Sequence, residues 1–138
     1  MSSHIPAQLG RQVRRRAGDR CEYCGLPQQW QEAVFHIDHV KPQSRGGKTT
    51  LDNLALACVS CSLRKAARVA AKDRQSGKMV QLFNPRRDTW HEHFKVGPSM
   101  RIRGLTTIGR VTVSALAMNR SAIVAIRQEL AAMAREES

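Results

Sequence analysis

The spacing of apolar residues changes several times in the first half of the chain, and each spacing predicts a different element. Apolar residues at every fourth position predict a helix over residues 6–16. Runs of β-branched and aliphatic residues predict strands over 34–40 and 54–57, joined by a polar loop that contains two glycines. An Ala-, Leu- and Arg-rich composition over 61–72 predicts a second helix, with Ser60 as its N-cap.

The second half of the chain has shorter and less regular apolar runs. Residues 73–78 are polar and predict a solvated linker. Residues 80–83 and 89–96 predict short strands, and helical spacing follows each of two cap candidates, Thr107 and Ser121. The element order as a whole predicts an α+β fold: strand, loop, strand and helix, followed by an extension of short strands and two helices.

The charge of the chain points to a polyanionic partner. The net charge is +12, with 41% hydrophobic but only 4% aromatic residues, so the core must be modest and mostly aliphatic. Residues 1–75 carry 13 basic and 6 acidic side chains, and residues 76–138 carry 10 and 5. Because no single tail holds the excess, we expect a basic face on the folded body, with nucleic acid as its first candidate partner. A basic protein without such a partner is the alternative.

The cysteines form two Cys-x-x-Cys pairs, Cys21 with Cys24 and Cys58 with Cys61. Each pair can place two thiolates on one ion, and two pairs fill the four tetrahedral positions that zinc prefers. The spacing therefore predicts one structural Zn²⁺ per chain. Two redox-active motifs are the alternative, but no βαβ pattern surrounds either pair.

The chain also lacks the usual signs of export or membrane insertion. Its N-terminus is rich in arginine without an apolar signal-peptide run, and the longest uncharged stretch, which contains residues 54–63, is too short to cross a bilayer. These features predict a cytoplasmic protein with no membrane partner. Thiols stay reduced in that compartment, which favours metal ligation over disulfides.

The segment between the cysteine pairs resembles the HNH endonuclease family, in the subgroup with a four-cysteine zinc knot. Residues 35–65 read FHIDHVKPQSRGGKTTLDNLALACVSCSLRK, and the resemblance covers residues 15–70. The matching positions are Asp38-His39, Pro42, Gly46-Gly47, Asn53-Leu54, Cys58, Cys61 and Lys65. The resemblance implies a small ββα-metal unit that cuts DNA. We expect a nuclease domain over 1–75 and a basic extension over 76–138.

The resemblance also implies a role for each polar residue of the motif. His39 is the implied general base, since a neutral imidazole can take a proton from water near neutral pH. Asp38 is the implied ligand of a catalytic Mg²⁺ or Mn²⁺. Asn53 would hold the loop and help to orient His39, and Lys65 would reach a phosphate as a point charge.

One position departs from the family pattern. The third letter of the motif is normally His or Asn, and the spacing puts it at Ser62, whose hydroxyl is a poorer metal ligand. Three outcomes are open at this point. Ser62 holds the metal directly or through water, another group such as His36 replaces it, or the metal binds too weakly for catalysis.

Several basic residues are candidates for contact with DNA. Those in the helix predicted over 61–72 share one side, where their mutual repulsion favours a nearby anion. The candidate residues are Arg45, Lys48, Arg64, Lys65, Arg68 and Lys72. The three consecutive arginines 14–16 can be a plain solvated face.

Two further hypotheses remain beside the nuclease. The first is a zinc-stapled DNA-binding module without catalysis, which the departure at Ser62 supports. The second is that residues 80–138 bind another protein and deliver the nuclease to its site. A homodimer is an open possibility in either case, because one active site usually needs a second copy to break both strands of DNA.

Overall fold

The computed structural model describes residues 4–137 of the chain. Its helices are α1 (Ala7–Arg16), α2 (Val59–Lys65), α3 (Trp90–His93), α4 (Thr107–Ala115) and α5 (Ser121–Glu137). Its strands are β1 (His36–His39), β2 (Leu54–Ala57), β3 (Ala70–Lys72), β4 (Met79–Gln81), β5 (Phe94–Val96) and β6 (Ile102–Gly104). They pair into three antiparallel hairpins, β1–β2, β3–β4 and β5–β6, which confirms the α+β class.

The first hairpin and the helix behind it form the ββα unit. β1 pairs with β2 from His36 opposite Ala57 to His39 opposite Leu54. All four residues of β2 are buried, whereas β1 is only partly covered. β1 therefore keeps its two histidines at least partly accessible to solvent, while the aliphatic β2 packs into the core.

Helix α1 is fixed to this hairpin by arginines. Arg14 donates from Nη2 to the carbonyl of Phe35 at 2.9 Å, and Arg16 donates to the carbonyls of Leu51 and Leu54. Val13, on the same helix, is fully buried. The reading of this arginine cluster as a plain solvated face is therefore wrong for Arg14 and Arg16.

The C-terminal extension shares one hydrophobic core with the ββα unit. Phe83 lies edge-to-face with Tyr23 at a ring-centroid distance of 6.4 Å and with Phe94 at 5.2 Å. Leu116 and Met118 belong to the same buried cluster. The strands β3 and β4 lie on either side of the boundary expected after residue 75, so the division into two domains stays a prediction.

The helix predicted over 61–72 is shorter than its composition suggests. It begins at Val59 and ends at Lys65, because Ala66 leaves the helical region with φ +48°. The chain then turns into β3, where Ala71 packs against Leu82 and Val111. Tertiary packing of this hairpin outweighs the helix propensity of an Ala- and Arg-rich segment.

Three other local predictions need correction. The expected linker over 73–78 is a hairpin turn, in which the buried Asp73 accepts a hydrogen bond from Ser76 at 2.8 Å. The strand expected over 89–96 begins as α3 and becomes β5 only at Phe94. The caps lie one or two residues earlier than predicted, at Thr106 for α4 and at Cys58 for α2.

Candidate metal centre and active site

The four cysteines converge on one point, although 34 residues separate Cys24 from Cys58. All four side chains are buried, and their Sγ atoms lie within 4.8 Å of one another. The Cys24 and Cys58 sulfurs are 3.7 Å apart. Tetrahedral zinc with Zn–S bonds of the usual length sets its sulfurs about 3.8 Å apart. The cluster therefore fits a zinc-like ion.

Both cysteine pairs use the same backbone geometry to aim their sulfurs inward. The amide of Cys24 donates to Cys21 Sγ, and the amide of Cys61 donates to Cys58 Sγ, each at 3.4 Å. A hydrogen bond from the Cys21 side chain lowers the pKa of Cys58, whereas burial raises the pKa of Cys21. The thiolate is the metal-binding form of cysteine. Metal binding would therefore release the protons of these thiols.

The first cysteine pair is held in place by the C-terminal extension. Arg86 forms an ion pair with Glu22, which lies between the two cysteines of that pair. Trp90 donates from Nε1 to the carbonyl of Tyr23 at 2.7 Å. These contacts span more than 60 residues of sequence, so the extension is a structural part of the metal centre.

A groove of about 930 Å³ lies beside this centre, between β1 and α2. The polar side chains of the family motif border it from both elements, and Pro42 and Gln43 also line it. The motif residues on the groove wall are Asp38, His39 and Ser62, and His36 lies on the same wall. The structure thus brings together residues that the sequence analysis placed in one candidate site.

Asp38 is held by two donors on the same oxygen. The Tyr23 hydroxyl donates to Oδ2 at 2.9 Å, and the Lys65 ammonium lies 3.2 Å from it. Burial raises the pKa of Asp38, and Lys65 and Tyr23 oppose that rise by stabilising the ionised carboxylate. Both of these contacts fall on Oδ2 rather than on Oδ1.

The role predicted for Lys65 does not fit this geometry. Its side chain is 2% exposed, and its ammonium also donates to the carbonyl of His39 at 3.2 Å. A buried ammonium paired with Asp38 cannot also extend into solvent to bind a phosphate. Lys65 instead joins α2 to the end of β1 and compensates the carboxylate charge.

His39 lies at the end of β1 and is oriented by a hydroxyl. Its Nε2 atom is 2.9 Å from Thr49 Oγ1, so an Nε2–H can donate to Thr49 and leave the Nδ1 lone pair for water. Burial lowers the pKa of His39 from its ordinary value. The imidazole is therefore neutral near neutral pH, which is the form a general base requires.

Asn53 holds the loop that carries Thr49. Its side-chain oxygen accepts from the Lys41 amide at 2.9 Å, and its amide nitrogen donates to the carbonyls of Lys41 and Lys48. Gly47 is required in this loop, because a Cβ there would lie 1.7 Å from the Lys41 carbonyl oxygen. These contacts agree with the loop-holding role expected of Asn53, which reaches His39 only through the backbone and Thr49.

Ser62 lies on the groove wall formed by α2, and its hydroxyl already has a partner. The Oγ atom is 2.8 Å from Nδ1 of His36. His36 is exposed and Ser62 partly exposed, so solvent reaches this pair.

The basic residues predicted to contact DNA do not form one helical stripe, because α2 ends at Lys65. Arg68 lies beyond the helix and donates to the carbonyls of Arg64 and Ala115. Lys72 lies on β3. All of the predicted DNA-contacting residues except Lys65 are exposed. They are Arg45, Lys48, Arg64, Arg68 and Lys72. Their contact with DNA stays a prediction.

Two residues of the site were missed by sequence reasoning. Tyr23 lies inside the first Cys-x-x-Cys pair, and Thr49 follows the two-glycine loop. Neither has a spacing that points to Asp38 or His39. The burial expected for an aromatic residue between two metal ligands is the only signal that could have drawn attention to Tyr23.

Comparison with known proteins supports the resemblance at the level of the family. Residues 21–68 match the model of the HNH endonuclease family, which confirms that resemblance for this part of the chain. Searches of the curated proteins and of the solved structures find no match. Within residues 4–137, no helix is both long enough and apolar enough to cross a membrane.

Proposed function

We propose that the chain is a metal-dependent endonuclease that hydrolyses phosphodiester bonds of DNA. The observation that carries the proposal is the groove in which Asp38 and His39 of the HNH segment lie side by side, with Thr49 holding the imidazole. A nuclease of this kind needs a base for water and a cation near the phosphate. The net charge of +12 supports a polyanionic substrate.

His39 acts as the general base in this proposal. With Nε2–H donating to Thr49, the Nδ1 lone pair takes the proton of the attacking water. Asp38 offers Oδ1 to a divalent ion, for which Mg²⁺ and Mn²⁺ are the candidates, and Ser62 is the second position that the family pattern assigns to this ion. When bound by these residues, such an ion would supply positive charge at the phosphate and at the leaving oxygen.

The four-cysteine centre has a separate, structural role. We propose that it holds one Zn²⁺ per chain, because four buried thiol ligands leave no coordination position for a substrate. Three further expectations remain predictions: the division into two domains after residue 75, a cytoplasmic location and a homodimer.

The test is cleavage of a supercoiled plasmid with Mg²⁺, Mn²⁺ or EDTA. We expect cleavage that requires the added ion and falls by about 10²–10⁴-fold in His39→Ala, the usual contribution of general-base catalysis. His91→Ala, which removes an exposed histidine outside the groove, serves as the control. Unchanged nicking in zinc-loaded His39→Ala would exclude this mechanism.

A second candidate function is DNA binding without catalysis. It is favoured by one observation, the serine hydroxyl that stands at a ligand position of the family and is already bonded to His36. Ser62→Asn restores the ligand type of the family and separates the two candidates. Cleavage that appears only in this variant would identify the natural protein as a binder, whereas cleavage by the unaltered chain excludes that reading.

A further inference from the structure

The groove wall contains two matched contacts between β1 and α2. His36 and Asp38 are two residues apart on β1 and so share one face of the strand. Ser62 and Lys65 are three residues apart on α2 and so share one face of the helix. His36 contacts Ser62, and Asp38 contacts Lys65. The strand face with the metal-binding carboxylate therefore also carries an imidazole.

The contact with Ser62 decides which nitrogen of His36 is available. The hydroxyl lies 2.8 Å from Nδ1, so an Nδ1–H that donates to Ser62 Oγ leaves the lone pair on Nε2. Metal-binding histidines commonly hold their second ring nitrogen in this way, with a hydrogen bond that fixes the tautomer and the ring orientation. Ser62 is then a positioning residue for the imidazole.

We propose that His36 supplies the second protein ligand to the divalent ion of the groove, through Nε2, beside Oδ1 of Asp38. This inference rests on the proposed function, because it concerns the same ion. It also accounts for the departure at Ser62: the hydroxyl does not replace the usual ligand but orients a histidine that does. Water and the substrate phosphate complete the coordination.

The proposed donor set has a consequence for the choice of metal. A carboxylate with waters suits Mg²⁺, whereas an added imidazole favours later first-row ions, with affinity rising from Mn²⁺ to Co²⁺ and Ni²⁺. The groove should therefore bind Co²⁺ more tightly than Mn²⁺, and both more tightly than Mg²⁺. If Asp38 were the only protein ligand, the affinities for these three ions would differ much less.

Two measurements on the full zinc-loaded chain test this inference without relying on cleavage. The first is calorimetric titration with Co²⁺ and with Mg²⁺. The second is the modulation of the Mn²⁺ electron spin echo by a coordinated nitrogen. The variants are His36→Ala, Ser62→Ala, His39→Ala and Asp38→Asn, with His91→Ala as an exposed histidine outside the groove. Because His36 is exposed, its replacement should leave the fold intact, which circular dichroism checks.

The expected result is selective. His36→Ala should weaken Co²⁺ binding by about 10–100-fold, abolish the nitrogen modulation and change Mg²⁺ affinity little, while Ser62→Ala should weaken Co²⁺ binding to a smaller extent. His39→Ala and His91→Ala should keep the modulation.

Other outcomes overturn the inference in distinguishable ways. If His36→Ala keeps the affinity and the modulation while Asp38→Asn loses the ion, His36 is not a ligand but the proposed metal site stands. If the modulation is lost in His39→Ala and kept in His36→Ala, the imidazole ligand is the other histidine. If Asp38→Asn also binds the ion normally, or the unaltered chain binds none, the inference and the proposed metal site both fail.

Discussion

The four-cysteine centre and the groove beside it differ in their donor atoms and in their exposure to solvent. The centre has four identical donors, all buried and within 4.8 Å of one another. The groove has the imidazole of His39, a carboxylate with one occupied oxygen and a histidine–serine pair that solvent reaches. A closed thiol cluster suits an ion that holds the chain together, and a mixed open wall suits an ion that meets a substrate.

Tyr23 connects these two regions. Its backbone lies between Cys21 and Cys24, its ring packs on Phe83, and its hydroxyl donates to Asp38. The position of the carboxylate is thus tied to the fold of the metal centre. The four-cysteine cluster and the Asp38 carboxylate are therefore coupled through one buried side chain.

The largest effect is expected from breaking the closed centre. Cys58→Ser removes one of four buried sulfurs, and we expect loss of the zinc together with the cooperative folded state, because binding free energy of a structural metal is folding free energy. Zinc content and thermal unfolding of the purified variant measure this. Ser62→Ala, on the same helix, should keep both the zinc and the melting transition. A zinc-free Cys58→Ser protein that melts like the unaltered chain would contradict the structural role.

A smaller effect is expected from removing the connection between the two regions. Tyr23→Phe keeps the ring but deletes the hydrogen bond to Asp38, so we expect about 1.5–3 kcal/mol less stability and roughly 10-fold weaker binding of the groove ion. Denaturant unfolding and metal titration measure the two quantities.

The matched control for this variant is Ser76→Ala, which deletes a hydroxyl that donates to the carboxylate of Asp73 in the hairpin turn. It can change stability but should leave the metal affinity unaltered. If Tyr23→Phe also leaves that affinity unaltered, the hydroxyl does not position Asp38 for the ion.

The smallest effect is expected at the exposed rim of the groove. Lys48 precedes Thr49, the residue that contacts His39, and its side chain is exposed. If it binds a phosphate, Lys48→Ala should weaken DNA binding modestly and lower the slope of log affinity against log salt by about 1. Lys78→Ala, an exposed lysine in the β3–β4 turn, is the control. Equal slopes for both variants would exclude Lys48 from the interface.

Much of the site could be predicted from local sequence. The spacing of Cys21, Cys24, Cys58 and Cys61 indicated one metal cluster, and the structure confirms that they converge. The two strands around the loop lie at 36–39 and 54–57, close to their predicted positions. Short apolar runs with turn residues between them carry this information because a hairpin is a local structure.

Contacts between distant residues could not be predicted in the same way. Composition favours a helix through residue 72, yet α2 ends at Lys65 because the following residues pack as a hairpin against α4. The pairing of Lys65 with Asp38 also overturned its predicted role, since burial of the ammonium depends on how α2 lies on β1.

The donor types, their order along the chain and the hairpin that carries Asp38 and His39 follow from local sequence. The contacts of Tyr23 with Asp38, of Thr49 with His39 and of His36 with Ser62 arise only when the chain is folded. Residue spacing governs contacts within a turn or a hairpin. Contacts across the fold depend instead on how the elements bury their apolar faces against one another.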